Sequence, residues 1–428
     1  MMKILWLVNV LLPEASMLFG DKPSQSGGWL INTAKQLTNQ DDFELAIAFP
    51  YKKAKDLKKI EGEKVTYYAF SPISLNNKKE IEDNLEFDDL IEDFKPDIVH
   101  LHGTELAHTL SMINACKKNN VKTVVSIQGL VSIYAKHMFA NLPWKTVYGF
   151  TLRNLIRKDN VIGMKKQFEQ RGKNEIEALK KANHIIGRTT WDKACTSQIN
   201  PKAEYHFCNE TLREDFYHHT WDINKCDEHS IFLSQGQYPI KGLHYMIEAL
   251  PIILKKYPNT KIYISGKNII KSDTFKDKLS MTHYGIYIKK IIRRENLENN
   301  IIFTGPLKEA EMVQRYLKSN VFVCPSSIEN SPNSLGEAMI LGVPCVAADV
   351  GGVADMMRHG KEGFVYQTDA PYMLAHYICE IFRDKQIAIE FSKNARAHAL
   401  QTHNIENNLK KLIEIYNSIF NTKIDDVN

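Results

Sequence analysis

No run of apolar residues in this sequence approaches the roughly 20 that a membrane-spanning helix needs, so no such helix is expected. There is no Cys-x-x-Cys pair, and the seven cysteines are an odd number. A disulfide frame or a zinc knuckle is therefore not expected; reduced thiols in a cytoplasmic protein are. No Asp-x-Asp occurs anywhere. The usual carboxylate pair for a catalytic divalent ion is missing, and the expectation is a chain that uses no metal and no cofactor. Internal repeats are absent beyond two α/β halves, as are low-complexity tracts and any nucleic-acid recognition motif. Charge of one sign is also scarce: the net charge is +5, with 25% charged and 43% hydrophobic residues, ordinary values for a globular chain. A mild positive balance fits an acidic partner such as a nucleotide or an anionic lipid surface. The apolar start of the chain resembles a short signal peptide, but Asn9 interrupts it and no small-residue cleavage site follows. It reads as a buried first strand, Lys3 to Asn9.

What is present is alternation. At 428 residues the length suits two domains, or three at most. Strand-like runs (Phe43 to Phe49, Val65 to Phe70, Asp97 to Leu101, Lys122 to Ile127) alternate with helical ones, and a second series begins at Ser230 after a polar stretch over 218–229. This βαβ pattern predicts two doubly wound parallel sheets, with domains at 1–220 and 228–402 and a cleft between them.

The most informative stretch is 321–352. Val321 to Cys324 is a short strand stopped by Pro325. Turn residues follow to Asn333, a helix begins at Ser334 with Glu337 at capping-box spacing, and Gly342 and Pro344 end it. A second strand and Gly351-Gly352 come next. A loop at the carboxyl end of a strand, opening a helix, is where an open α/β sheet binds ligands. The first amides of that helix favour an anion. Glu329 and Glu337 flank the turn, one of them as a helix cap or both as acceptors of sugar hydroxyls. Lys241-Gly242, also at a helix start, is electrostatically odd unless something anionic lies nearby.

Glu329-Asn-Ser-Pro-Asn-Ser-Leu-Gly-Glu337, Leu-Gly-Val-Pro, Asp349-Val-Gly-Gly and Glu362-Gly-Phe resemble, in order and spacing, the signature of the retaining glycosyltransferases of family 4. That resemblance implies the GT-B fold: two Rossmann-like domains, with the last helix, about 405–420, returning to the first. It implies that Glu337 holds the nucleotide ribose and Glu329 sits by the donor sugar. The amides of Asn333, Ser334, Leu335 and Gly336 would hold the diphosphate, with Lys241 contacting it. Gly27-Gly28 would let the backbone approach donor or acceptor. The activity implied is metal-independent, retaining hexosyl transfer from a nucleotide sugar to a glycan or polyprenyl-linked acceptor, as in polysaccharide biosynthesis. The sequence departs from the family pattern at three places. Gln128 stands where a His is common, Glu210 where a Gly is, and Gln237 near the place of a phosphate-binding Arg. Arg188 is the expected substitute for that Arg, with Arg213 second; both, like His102, sit at strand ends. The departures keep two alternatives open, a non-catalytic nucleotide-sugar-binding protein and a GT-B sugar-nucleotide epimerase.

Residues 136–173 break the pattern with nine Lys or Arg against two acids, interleaved with Phe139, Trp144, Tyr148, Phe150 and Phe168. They read either as a solvated helix face over core aromatics or as a basic aromatic surface lying on anionic lipid, peripheral to the inner face of a membrane. No nucleic-acid partner is expected.

Overall fold

The structure, a computed structural model, describes residues 1–24 and 27–422. Its contacts divide the chain into two units. The first comprises Met1–Ile133, Glu169–Arg213 and the chain from His403 on; the second comprises Tyr134–Phe168 and Glu214–Thr402. Fraying is expected of the tail from Thr422 to the C-terminus; apart from Thr422 that tail lies outside the described residues.

Among the described residues the first unit holds eight strands: β1 (Met2–Leu7), β2 (Phe43–Pro50), β3 (Lys58–Glu61), β4 (Val65–Phe70), β5 (Ile98–His102), β6 (Lys122–Ser126), β7 (His184–Gly187) and β8 (Glu204–Phe207). Their order is β3-β4-β2-β1-β5-β6-β7-β8, parallel except for β3 against β4. Strand side chains alternate between faces, and both faces here are covered. Leu5, Leu7, Val99 and Leu101 pack on one side with Phe87, Leu90 and Met112 of helices Leu85–Phe94 and Ala107–Lys118. Ile4, Trp6, Ile47 and Ile98 pack on the other with Leu30 of helix Gly28–Leu37 and with Leu412, Ile415, Tyr416 and Ile419 of helix Ile405–Asn421. Burial on both faces is why these strands read as continuous apolar runs. The last helix is fixed by more than apolar contact. Trp6 Nε1 donates to Tyr416 Oη at 2.9 Å, and the same hydroxyl meets His100 Nδ1 at 2.6 Å.

The second unit holds β9 (Ser230–Leu233), β10 (Lys261–Ser265), β11 (Ile301–Gly305), β12 (Val321–Cys324), β13 (Cys345–Asp349) and β14 (Phe364–Gln367), in the order β11-β10-β9-β12-β13-β14, all parallel. Helix Leu243–Leu254 packs on Pro371–Arg383, and helix Asn333–Leu341 on Lys385–Thr402. The polar stretch 218–229 is not a loose linker: Trp221 is buried and its Nε1 donates to Ser319 O at 2.8 Å.

Residues 134–168 group with the second unit. His244 Nε2 meets the Ala140 carbonyl at 2.8 Å, Asn141 Nδ2 donates to Asp369 Oδ2 at 3.0 Å, and Thr151 Oγ1 donates to the Met281 carbonyl at 3.2 Å. These are contacts of single polar side chains, and no periodicity announces them.

Candidate functional site

In the second unit the chain runs β9, β10, β11 to one side and then returns to place β12 on the other side of β9. The loops leaving β9 and β12 therefore diverge at one point, the place where an open sheet leaves a ligand crevice. The first loop carries Lys241 and the second carries Glu329. Lys241 Nζ and Glu329 Oε1 are 2.5 Å apart, across 88 positions of sequence. Ser326 Oγ donates to the same carboxylate oxygen at 2.7 Å. Both charged groups are largely out of solvent, with side chains 19% and 8% exposed. Burial alone would lower the Lys241 pKa, but the facing Glu329 carboxylate outweighs it and holds the amine above its ordinary value. The anion that the helix-start position of Lys241 calls for is thus supplied by Glu329 itself.

Two glycines bring the loops this close. Gly242 has φ +69, and a Cβ there would lie 1.8 Å from the Pro325 carbonyl oxygen. Gly351 has φ +52, and a Cβ would lie 1.8 Å from the Glu329 carbonyl oxygen, which also accepts from the Gly352 amide at 3.2 Å. The Glu329 loop is held from both sides by backbone that tolerates no side chain.

The helix after this loop begins one residue earlier than the sequence reading. It spans Asn333–Leu341 with Pro332 as N-cap and no side-chain cap, so Glu337 is its fifth residue and forms no capping box with Ser334. The reason is Pro332. With φ −67 and ψ 112 its carbonyl already accepts from the Leu335 and Gly336 amides at 2.9 and 3.3 Å, closing the first turn. Those two amides, expected at a diphosphate, are turned into the helix; Asn333 and Ser334 keep amides with no intramolecular partner among the described residues. Asn333 Oδ1 is buried and likewise unpartnered. Glu337 is buried, 7% exposed. Tyr316 Oη fixes the helix start by donating to the Ser334 carbonyl at 2.9 Å, and Tyr134 Oη accepts the Asn330 amide at 3.0 Å. Neither tyrosine was singled out from sequence; their reach is set by tertiary packing. Gln237 lies against Gly266, whose φ of +94 and missing Cβ leave room for its amide. A neutral amide there adds no positive charge.

The other residues read from sequence lie in the first unit, around its own strand-order switch between β1 and β5. Gly27 is the N-cap of helix Gly28–Leu37 at φ +81. Gly28 is not open for approach, since the aliphatic stem of Arg213 sits where its Cβ would be, 2.5 Å away. His102 stacks on His100 at 3.9 Å and lies edge-on to Trp6 at 4.8 Å; neither ring nitrogen has a hydrogen-bond partner among the described residues, and burial pushes its pKa down to about 3. Arg188, the expected substitute for the phosphate-binding Arg, is already engaged by neighbouring groups. Its NH1 meets Glu210 Oε2 at 2.5 Å and its NH2 donates to the Ile127 carbonyl at 3.3 Å. Gln128 Nε2 donates to the other Glu210 oxygen at 2.5 Å. Glu210 thus binds Arg188 and Gln128 together at the rim of a cavity of about 50 Å³ lined also by Trp6, Trp29 and His102.

Sequence reasoning missed Glu105. It follows β5, accepts from Asn9 Nδ2 at 2.7 Å, and Asn9 Oδ1 in turn meets His108 Nε2 at 2.7 Å. Burial, with the Glu175 charge adding to it, raises the Glu105 pKa to about 7. A carboxyl raised in the folded state favours the protonated form. Its stabilising contribution is complete below the ordinary carboxyl range and declines as pH rises through about 7. Melting temperature should therefore fall between pH 5 and 8 more steeply in the natural protein than in Glu105→Gln, as scanning calorimetry across that range would show.

With this geometry in place, residues 216–398 match the family model described as glycosyl transferases group 1. Among curated relatives, the putative glycosyltransferase YtcC of Bacillus subtilis is 27% identical over 201 residues, 46% of this chain and 47% of its own. The chain spans less than half the length of this and comparable curated relatives that it matches. Solved structures match nearly end to end. Sucrose-phosphate synthase from Thermosynechococcus elongatus aligns at a TM-score of 0.70 and 15% identity, over 98% of this chain and 99% of that one. Anabaena HepE in complex with UDP-glucose aligns at 0.67 and 17%, over 98% and 100%. The fold is that of the GT-B glycosyltransferases. The Lys241–Glu329 loops and helix Asn333–Leu341 all fall inside residues 216–398, the stretch similar to that family model.

Proposed function

We propose that this chain transfers a hexose from a nucleotide-sugar donor to a glycan or polyprenyl-linked acceptor, with retention of anomeric configuration and without a metal or cofactor. The observation that carries the reading is the donor-side geometry: a buried ammonium clasped to the loop that leads into a helix whose first two amides have no partner among the described residues. When the bond from the anomeric carbon to the diphosphate breaks, positive charge grows on the sugar and negative charge on the leaving group. Groups fixed in place beforehand and aimed at that growing anion are the most effective form of stabilisation. Lys241 and the Asn333 and Ser334 amides would receive the diphosphate. Glu337, buried four residues into the helix, would accept from the ribose hydroxyls, and Glu329 would hold Lys241 in place and face the sugar. HepE, with UDP-glucose in its crystal, points to the uridine series as the first donors to try. The test is release of nucleoside diphosphate from uridine and guanosine sugar nucleotides in the presence of lipid-linked acceptors, with proton NMR of the new anomeric centre. A donor that binds but never turns over would leave a binding protein; interconversion of the free sugar nucleotide would mark an epimerase.

The proposal extends to the membrane surface. In the second unit Trp144, Tyr148, Phe150 and Ile156 are 69%, 60%, 61% and 78% exposed, and Lys145 lies 5.7 Å above the Trp144 ring. The same segment hydrogen-bonds the Met281 carbonyl, and Met281 lines a groove with Lys278, Lys289, Lys290 and Arg293. Apolar rings beside clustered cations are the composition that seats a protein on anionic lipid, here the inner face of the cytoplasmic membrane. Arg153 takes no part, being paired with Asp159 at 2.7 Å. Sedimentation with anionic vesicles should therefore be lost in a Trp144→Ala, Lys145→Glu, Arg157→Glu variant; equal sedimentation of that variant would refute the membrane assignment.

A further inference from the structure

On the outer edge of the first unit's sheet, three metal-ligating side chains, none of them singled out above, converge. His184 opens β7 and Glu204 opens β8, and the parallel register sets them opposite one another; His206, two positions on, points to the same face as Glu204. His184 Nδ1 and His206 Nε2 are 3.1 Å apart, and His184 Nδ1 and Glu204 Oε2 are 3.4 Å apart. One ligand atom from each of the three lies within 4.8 Å of the others. Two ligands at the roughly 2.0–2.1 Å of a zinc–nitrogen bond stand about 3.3 Å apart on a tetrahedron. The two spacings from His184 Nδ1 are close to that edge, and a small adjustment of the exposed Glu204 side chain would complete it. We propose that His184, Glu204 and His206 form a binding site for one divalent transition-metal cation of borderline softness, Zn²⁺ first, with a fourth position left to water.

The chemistry of the donor set agrees. Two imidazoles and one carboxylate suit zinc and its neighbours, whereas calcium and magnesium take all-oxygen sets. Both imidazoles are largely buried, 12% and 10% exposed, while Glu204 is 59% exposed and leaves the site open on one side. Two cations stand nearby. The field of Lys122 reaches His184, although its ammonium is held by the Phe420 and Thr422 carbonyls at 2.7 Å each; that of Lys411 reaches His206. They weaken the site without blocking it. A bound ion would clip β7 to β8, the last pair of the sheet, and so act as a structural staple rather than a catalyst.

Chelator-treated full-length protein should take up one equivalent of Zn²⁺ in a calorimetric titration, with a rise in melting temperature. His206→Ala and Glu204→Gln should each weaken uptake at least tenfold and abolish that rise, and Lys411→Ala should tighten it. The exposed Glu204 makes Glu204→Gln safe for folding. The Co²⁺ form should show tetrahedral ligand-field bands without thiolate charge transfer, separating this site from the cysteines. Absence of a Zn²⁺-dependent rise in the natural protein, uptake unchanged in both variants, or a thiolate band would overturn the proposal and leave a histidine–histidine hydrogen bond.

Discussion

Replacing Lys241 by methionine should lower donor turnover about 10²–10³-fold, the range seen when one preorganised donor to a developing anion is removed. Methionine keeps most of the side-chain volume, so the loss reports the charge. The same substitution should also destabilise the second unit. Glu329, 8% exposed, would keep Ser326 but lose its cation, and stripping one partner from a buried pair costs about 3–5 kcal/mol. The two effects come apart in Lys241→Met with Glu329→Gln. Removing both charges should recover much of the stability, because no unpaired carboxylate remains buried, while turnover stays low. Denaturant melts alongside initial rates for the two single variants and the double variant make the comparison. Recovery of rate along with stability would mean that Lys241 serves the fold only.

The second large effect is expected at Gly351. Alanine there must adopt φ near +52 and place its Cβ 1.8 Å from the Glu329 carbonyl oxygen. The left-handed conformation costs about 1–2 kcal/mol, and overpacking adds about 1–3 kcal/mol. The loop must then move, and Glu329 and Lys241 move with it, so donor turnover should fall together with stability. Gly360→Ala is the control. Gly360 has a similar φ of +72, but nothing lies within 4 Å of its Cβ position. It should show the conformational cost alone and leave turnover unchanged. Equal melting temperatures for the two alanine variants would show that close approach at Gly351 is not what places the Glu329 loop.

Much of this was legible in the sequence, for identifiable reasons. The central strands announced themselves because parallel strands buried on both faces are apolar throughout; the charged, exposed edge strand β3 did not. The turn from Glu329 to Glu337 announced itself through length and mixed composition. The helix start did not: Ser334 followed by Glu337 imitates a capping box, and only the backbone shows that the Pro332 carbonyl closes the turn. Lys241 and Glu329 were each legible, but not their pairing, which depends on β12 returning beside β9. The same strand-order switch in the first unit joins Asn9 to Glu105, and the sequence gives no hint of it. Arg188 was read as the substitute for a phosphate-binding Arg because nothing in the chain indicates that Glu210, 22 positions on, takes up its guanidinium.

The central claim is that amides opening helix Asn333–Leu341 hold the donor's diphosphate, and Asn333→Pro tests it most directly. Proline suits the first position of a helix, where its missing N–H has no intrahelical partner. Pro332 already has the extended conformation that a residue before proline requires. The substitution therefore removes one candidate amide donor while keeping the helix, and Asn333→Ala accounts for the lost side chain. In calorimetric titrations with UDP, the account predicts that Asn333→Pro binds about tenfold or more weakly than Asn333→Ala, at equal melting temperature. Equal affinity of the two would contradict it.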